Sequence, residues 1–180
     1  MSRPAAAKTV RKRSEIPEKY RWRLEDIYEN DDLWEADFAK VQETLPKIGQ
    51  YKGKLSESPA TLKACLDLLF ETEETFERLF VYAFTRRDED STDAKYQALY
   101  DRAQRLAVQF STTASFIEPE ILQMPEERLD EYLASENLAL YRHYLDNIIR
   151  NKPHTLSPQE EAVLAAAGEL AQAPSNVFGM

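Results

Sequence analysis

Histidine and cysteine are the scarcest chemistry-bearing residues in this 180-residue sequence, with two copies of the first and one of the second. Cys65 has no second thiol to pair with, so no internal disulfide forms, and a reducing, cytoplasmic setting is expected. His143 and His154 stand in YRHYL and KPHTL, and neither opens an H-E-x-x-H motif. Three residues before them stand Leu140 and Asn151, which excludes the Glu-x-x-His pattern of helical di-iron bundles. One cysteine and two separated histidines cannot build an ordinary structural zinc site. The four glycines leave no Gly-rich phosphate loop, and no serine sits in a nucleophile-elbow context. No apolar run approaches the ~18 residues of a membrane span, and PAAAKTVRKR lacks the apolar segment of a signal peptide. No catalytic, cofactor-binding or metal-ligating residue is therefore assigned.

Helix-forming residues fill what remains, and with so few glycines they predict an all-α fold. A first helix is expected from an N-cap at Asp31 or Asp32 through Leu33, Phe38, Val41 and Leu45, with Pro46 interrupting it or lying near its end. GQYKGK closes that region. A second opens at Ser58 as cap, with Pro59 in the first turn, where a missing N–H costs nothing. Its apolar stripe reads Leu62, Leu66, Leu69, Phe76, Phe80 and Ala83, broken by Glu73. After the charged turn RRDEDSTDAK, capped by Ser91 or Thr92, a third helix carries Tyr96, Leu99, Ala103, Leu106, Phe110, Thr113 and Ile117. Pro119 and Pro125 punctuate its far end. Shorter helices follow at PEERLDEYLAS, at Leu138 to Arg150 and at SPQEEAVLAAAGELAQA. The two long helices make an antiparallel hairpin packed with about four shorter ones, and Phe76, Phe80, Leu106 and Phe110 are its expected core.

The net charge is −9, but Arg3, Lys8, Arg11, Lys12 and Arg13 give the first thirteen residues a local +5. Residues 1–14 are expected as a disordered basic tail. The acidic remainder argues against a nucleic-acid partner. Two acid clusters, Glu73–Glu74–Glu77 and Glu126–Glu127–Asp130–Glu131, offer paired carboxylates. Their helical spacing beside Arg78 and Arg128 fits a solvated face better than a cation site.

The stretch RWRLEDIYENDDLWEADF, Arg21 to Phe38, holds both tryptophans among nine charged residues out of eighteen. It resembles the N-terminal signature of oligoendopeptidase F, of the thimet oligopeptidase-like zinc metallopeptidases. The likeness continues in YAFTRRDEDSTDAKYQALYDRA, FIEPEIL, LYRHYLDNIIRNKPHTLSPQEE and APSNVFGM, covering roughly Ile16 to Met180. The resemblance implies a mostly helical enzyme that cleaves short peptides in a deep channel, with zinc held by H-E-x-x-H and a downstream Glu. None of those positions exists here. Residues 15–173 are therefore expected as the non-catalytic helical N-terminal domain of such a peptidase. Residues 174–180 would begin a linker into a catalytic domain that is absent here, the zinc belonging to the full-length parent.

Three further expectations follow from this reading. WRLEDIY is an extended strap laying Trp22, Leu24, Ile27 and Tyr28 over the hairpin or the missing domain. The 180-residue chain is inactive alone and exposes an apolar surface through which copies self-associate. The rival reading is a free-standing helical module that binds a protein partner.

Overall fold

The computed structural model describes residues 15–152, and among them every regular element is helical. The order is α1 (Asp31–Gly49), α2 (Pro59–Glu89), α3 (Ala94–Ala114), α4 (Ile117–Leu122), α5 (Glu126–Ala134) and α6 (Arg142–Asn151), with short 3₁₀ turns at Glu18–Tyr20, Leu24–Asp26 and Glu136–Tyr141. The all-α expectation holds. The basic arm and the helix expected from Ser157 lie outside the described residues. Two compact units meet at the Glu120–Ile121 bond.

In the first unit α1, α2 and α3 pack on one another, and α2 and α3 form the antiparallel hairpin. Stacking of Phe76 on Phe110, edge contact of Phe80 with Tyr100 and a tilted contact of Phe84 with the same ring fix its register. Ser58 accepts the Thr61 N–H at 3.0 Å and Pro59 leads α2, so this start follows the sequence. The other two caps differ. Asn30, not Asp31 or Asp32, caps α1 by accepting the Leu33 N–H at 3.1 Å, which frees Asp31 for a longer-range pairing described below. Asp93, not Ser91 or Thr92, caps α3 through the Lys95 N–H. α1 continues through Pro46 to Gly49, at the cost of one bond to the Gln42 carbonyl near its end.

The buried stripe of α2 also turns slightly from the expected one. Thr72, Leu79 and Tyr82 are buried, whereas Glu73 and Phe80 are only half-buried. The interruption at Glu73 disappears once the stripe runs through Thr72, whose hydroxyl bonds back to the Leu68 carbonyl. Of the four expected core residues, Phe76 and Leu106 are buried, and Phe80 and Phe110 lie at the hairpin's edge. α1 is the reason. It contributes Trp34, Phe38, Val41, Leu45 and Ile48 to the core and draws the inner face of the hairpin towards itself. α3 ends at Ala114, and the buried Ile117 begins α4.

The entry segment is not an extended strap. Leu24 and Tyr28 are buried and a 3₁₀ turn between them meets α2, but Trp22 is 56% exposed and Ile27 half-buried. Trp34, within α1, is the tryptophan of the core.

The second unit holds α5, the 3₁₀ turn and α6, which bury Leu129, Tyr132, Leu138, Tyr141, Leu145 and Ile148. The single helix expected from Leu138 to Arg150 is a 3₁₀ turn running into α6 at Arg142.

Candidate functional site

Polar side chains gather where α1 begins, α2 ends and α3 begins. Arg86 lies four residues after Tyr82, on the buried stripe of α2. Its guanidinium sits over the rings of Tyr82 and Tyr96, at 5.1 and 5.6 Å, and pairs with Glu25 at 2.9 Å and Glu89 at 3.2 Å. The Tyr82 hydroxyl donates to Asp31 Oδ1 at 2.7 Å, and Asp31 Oδ2 meets Lys95 Nζ at 2.5 Å. Nearby, Arg102 grips both oxygens of Glu35, at 2.5 and 2.6 Å, while covering Trp34 and Phe38.

The protonation states are those of a clasp and not of a proton-transfer site. Burial would raise the Asp31 carboxyl, but hydrogen bonds from Lys95 and Tyr82 outweigh it and hold it below the usual range. The Glu35 carboxyl is lowered by the Arg102 hydrogen bonds. Burial, and then donation to Asp31, pushes the Tyr82 hydroxyl up to about 12, so it stays protonated and donating. Asp31 and Glu35 each face a cation, and their lowered carboxyls are not poised near neutrality to act as a general base. The arrangement ties three helix ends to one another.

A second clamp positions the turn after α1. Glu120 accepts the N–H groups of Gly53 at 2.8 Å and Leu55 at 2.7 Å. Gly53 has φ +81°, a left-handed conformation that glycine adopts without a Cβ penalty.

The other groups singled out in the sequence do not converge. Glu126, Glu127, Asp130 and Glu131 are exposed along α5. Glu74 and Glu77 are exposed, and the half-buried Glu73 has a carboxyl raised first by burial and then by the Glu77 charge. Cys65 is buried, and burial pushes its thiol up to about 11, which leaves it un-ionised and unreactive at neutral pH. His143 is exposed and shares a hydrogen bond with Asn147 at 3.1 Å; His154 lies outside the described residues. Among the described residues no three of His, Cys, Asp and Glu come together as a ligand set. Zinc does not fit these residues: the thiol is protonated and buried, and the one described imidazole has no second nitrogen or sulfur ligand beside it. A cleft of about 80 Å³ between α1 and α2, lined by Lys40, Val41, Thr44, Leu68, Glu71, Thr72 and Thr75, has room for a few waters only.

Sequence reasoning missed Arg86, Tyr82, Asp31, Arg102 and Glu120. Arg86 alone left a trace, as a charge in register with the apolar stripe. The others act across 51 to 67 residues of chain, a span over which local patterns carry no signal.

Known proteins are similar to this chain in sequence and fold. A family model described as Oligopeptidase F matches residues 120–180. Oligopeptidase PepF of Bacillus subtilis is 37% identical over 100% of this chain, which spans 27% of that relative. Group B oligopeptidase PepB of Streptococcus agalactiae is 35% identical over 92% of this chain and 28% of its own length. The crystal structure of oligoendopeptidase-F from Enterococcus faecium superposes with a TM-score of 0.68 at 33% identity, covering 82% of this chain and 29% of the other. The chain thus spans little more than a quarter of the length of the curated relatives it matches. In sequence and fold it is similar to the N-terminal part of oligoendopeptidase F family members.

Proposed function

We propose that this chain is the helical N-terminal domain of a cytoplasmic, zinc-dependent oligopeptidase acting on short peptides. In this reading it helps to wall the substrate channel and leaves the metal to a catalytic domain elsewhere in the polypeptide. The observation that carries the reading is similarity along 100% of this chain to 27% of an oligopeptidase. Two features support it. The polar groups at the helix ends are spent on holding helices together, as a rigid wall requires. The unpaired Cys65 suits a reducing compartment.

The test uses the longer polypeptide with and without residues 1–180, assayed on peptides of increasing length. Removal is expected to leave zinc bound and to reduce discrimination between short and long peptides by about tenfold or more. Unchanged discrimination would remove the wall role, and loss of zinc with an otherwise intact fold would place the metal in this chain.

A further inference from the structure

The clasp around Arg86, its buried Nε apart, and the clamp at Glu120 are satisfied within the domain. The outer side of the α2–α3 hairpin, away from α1, is not. Along the seam the rings of Phe110, Phe76, Phe80, Tyr100 and Phe84 run in contact at 5.5–5.9 Å, and Arg87 caps the last two. Exposure rises along this ladder from Phe76, at 9%, to Phe84, at 38%, and Val81 beside it is 43% exposed. Across the seam Val108 is 67% exposed.

The surface of α3 around Val108 is unusual for this chain. Although 31% of the residues are charged, none is from Leu106 to Ile117. Of the exposed positions there, Val108, Ser111, Thr112 and Ser115 fall at i, i+3, i+4 and i+7 and so share one face, with Gln109 beside it. A free surface gains solubility from charge, whereas the centre of a protein interface is depleted of it. At the rim Glu73 and Glu77 stand one helical turn apart with no cation paired to either among the described residues. This contrasts with Asp31, Glu35 and Glu25, each of which meets a Lys or Arg.

We propose that the outer face of the α2–α3 hairpin docks the remainder of the same polypeptide, through an apolar segment carrying a Lys or Arg that lies between Glu73 and Glu77. The assignment rests on the reading of the chain as the N-terminal part of a longer peptidase. The occupant follows from length: more than two thirds of each relative lies outside the region that this chain matches, a large partner for an uncharged face. A single cation placed there would pair with both carboxylates and halve their joint charge.

Cysteine labelling tests the docking without reference to catalysis. Val81→Cys and Phe84→Cys are made in the 180-residue chain and in the longer polypeptide, with Leu33→Cys, 48% exposed on α1, as control. The native Cys65 is buried and protonated, so its background is low. Labelling of Val81→Cys and Phe84→Cys is expected to slow by about tenfold or more in the longer polypeptide, with Leu33→Cys unchanged. Adding Glu77→Lys to the same polypeptide should restore most of the rate without altering the melting of the 180-residue chain. Equal rates in both contexts would overturn the proposal. So would protection in the 180-residue chain that grows with its concentration, which would assign the face to a second copy. A polypeptide that fails to cleave peptides yet protects Val81→Cys would refute the peptidase reading and leave the docking intact.

Discussion

Trp34 fills the space between α1 and α2 with none of its surface exposed, and its indole N–H ends on the Leu79 carbonyl at 2.9 Å. It stacks on Phe38 beneath the Arg102 guanidinium. Trp22 lies in the same acidic stretch of sequence and is mostly in water. Local composition does not tell these two residues apart. What separates them is a helix cap: Asn30 starts α1, and from there Trp34, Phe38, Val41 and Leu45 follow in threes and fours. Trp22 precedes the cap and has no periodic face to join. Trp34→Ala is expected to cost about 3–5 kcal/mol, from lost burial and the lost indole bond to the Leu79 carbonyl, and Trp22→Ala no more than about 0.5 kcal/mol. Urea melts of both variants check this, and equal losses would contradict the assignment of the core.

At the scale of elements, the starts and stripes of the helices were legible where the signal is local. Ser58 followed by Pro59 marks the start of α2, because cap and N1 proline act within one turn. The caps of α1 and α3 were displaced by one residue or more because several Asp, Asn, Ser and Thr compete there. The winner is decided by distant partners: Asp31 is drawn to Tyr82 and Lys95, leaving Asn30 to cap. The loop between α1 and α2 shows the same dependence. Its geometry rests on Glu120, 67 residues from Gly53, which no local pattern announces. Glu120→Ala leaves the N–H of the buried Leu55 without its acceptor and is expected to cost about 1–3 kcal/mol. Faster amide exchange confined to the turn at residues 50–56 and the start of α2 would accompany it. Unchanged exchange there would mean that the turn holds itself.

For the whole molecule, the all-α class and the hairpin could be read from periodicity, since helix contacts between sequence neighbours dominate the first unit. The edge position of Phe80 and Phe110 could not, because it depends on the angle at which α1 approaches the pair. Of the functional site, the sequence carried mainly missing motifs: no H-E-x-x-H, no Gly-rich phosphate loop and no serine in a nucleophile-elbow context, in a chain similar along its length to part of a peptidase. The structure adds that the described thiol and imidazole are unsuited to zinc and that the acids at the helix ends are neutralised by cations. The central proposal is that this chain supplies scaffold and surface to an enzyme whose chemistry lies elsewhere in the polypeptide. The direct measurement is turnover of a short fluorogenic peptide, together with bound-metal analysis, for the 180-residue chain and the longer polypeptide side by side. The account predicts stoichiometric zinc and chelator-sensitive cleavage for the longer polypeptide and neither for the chain alone. Zinc-dependent turnover by the purified 180-residue chain would contradict it.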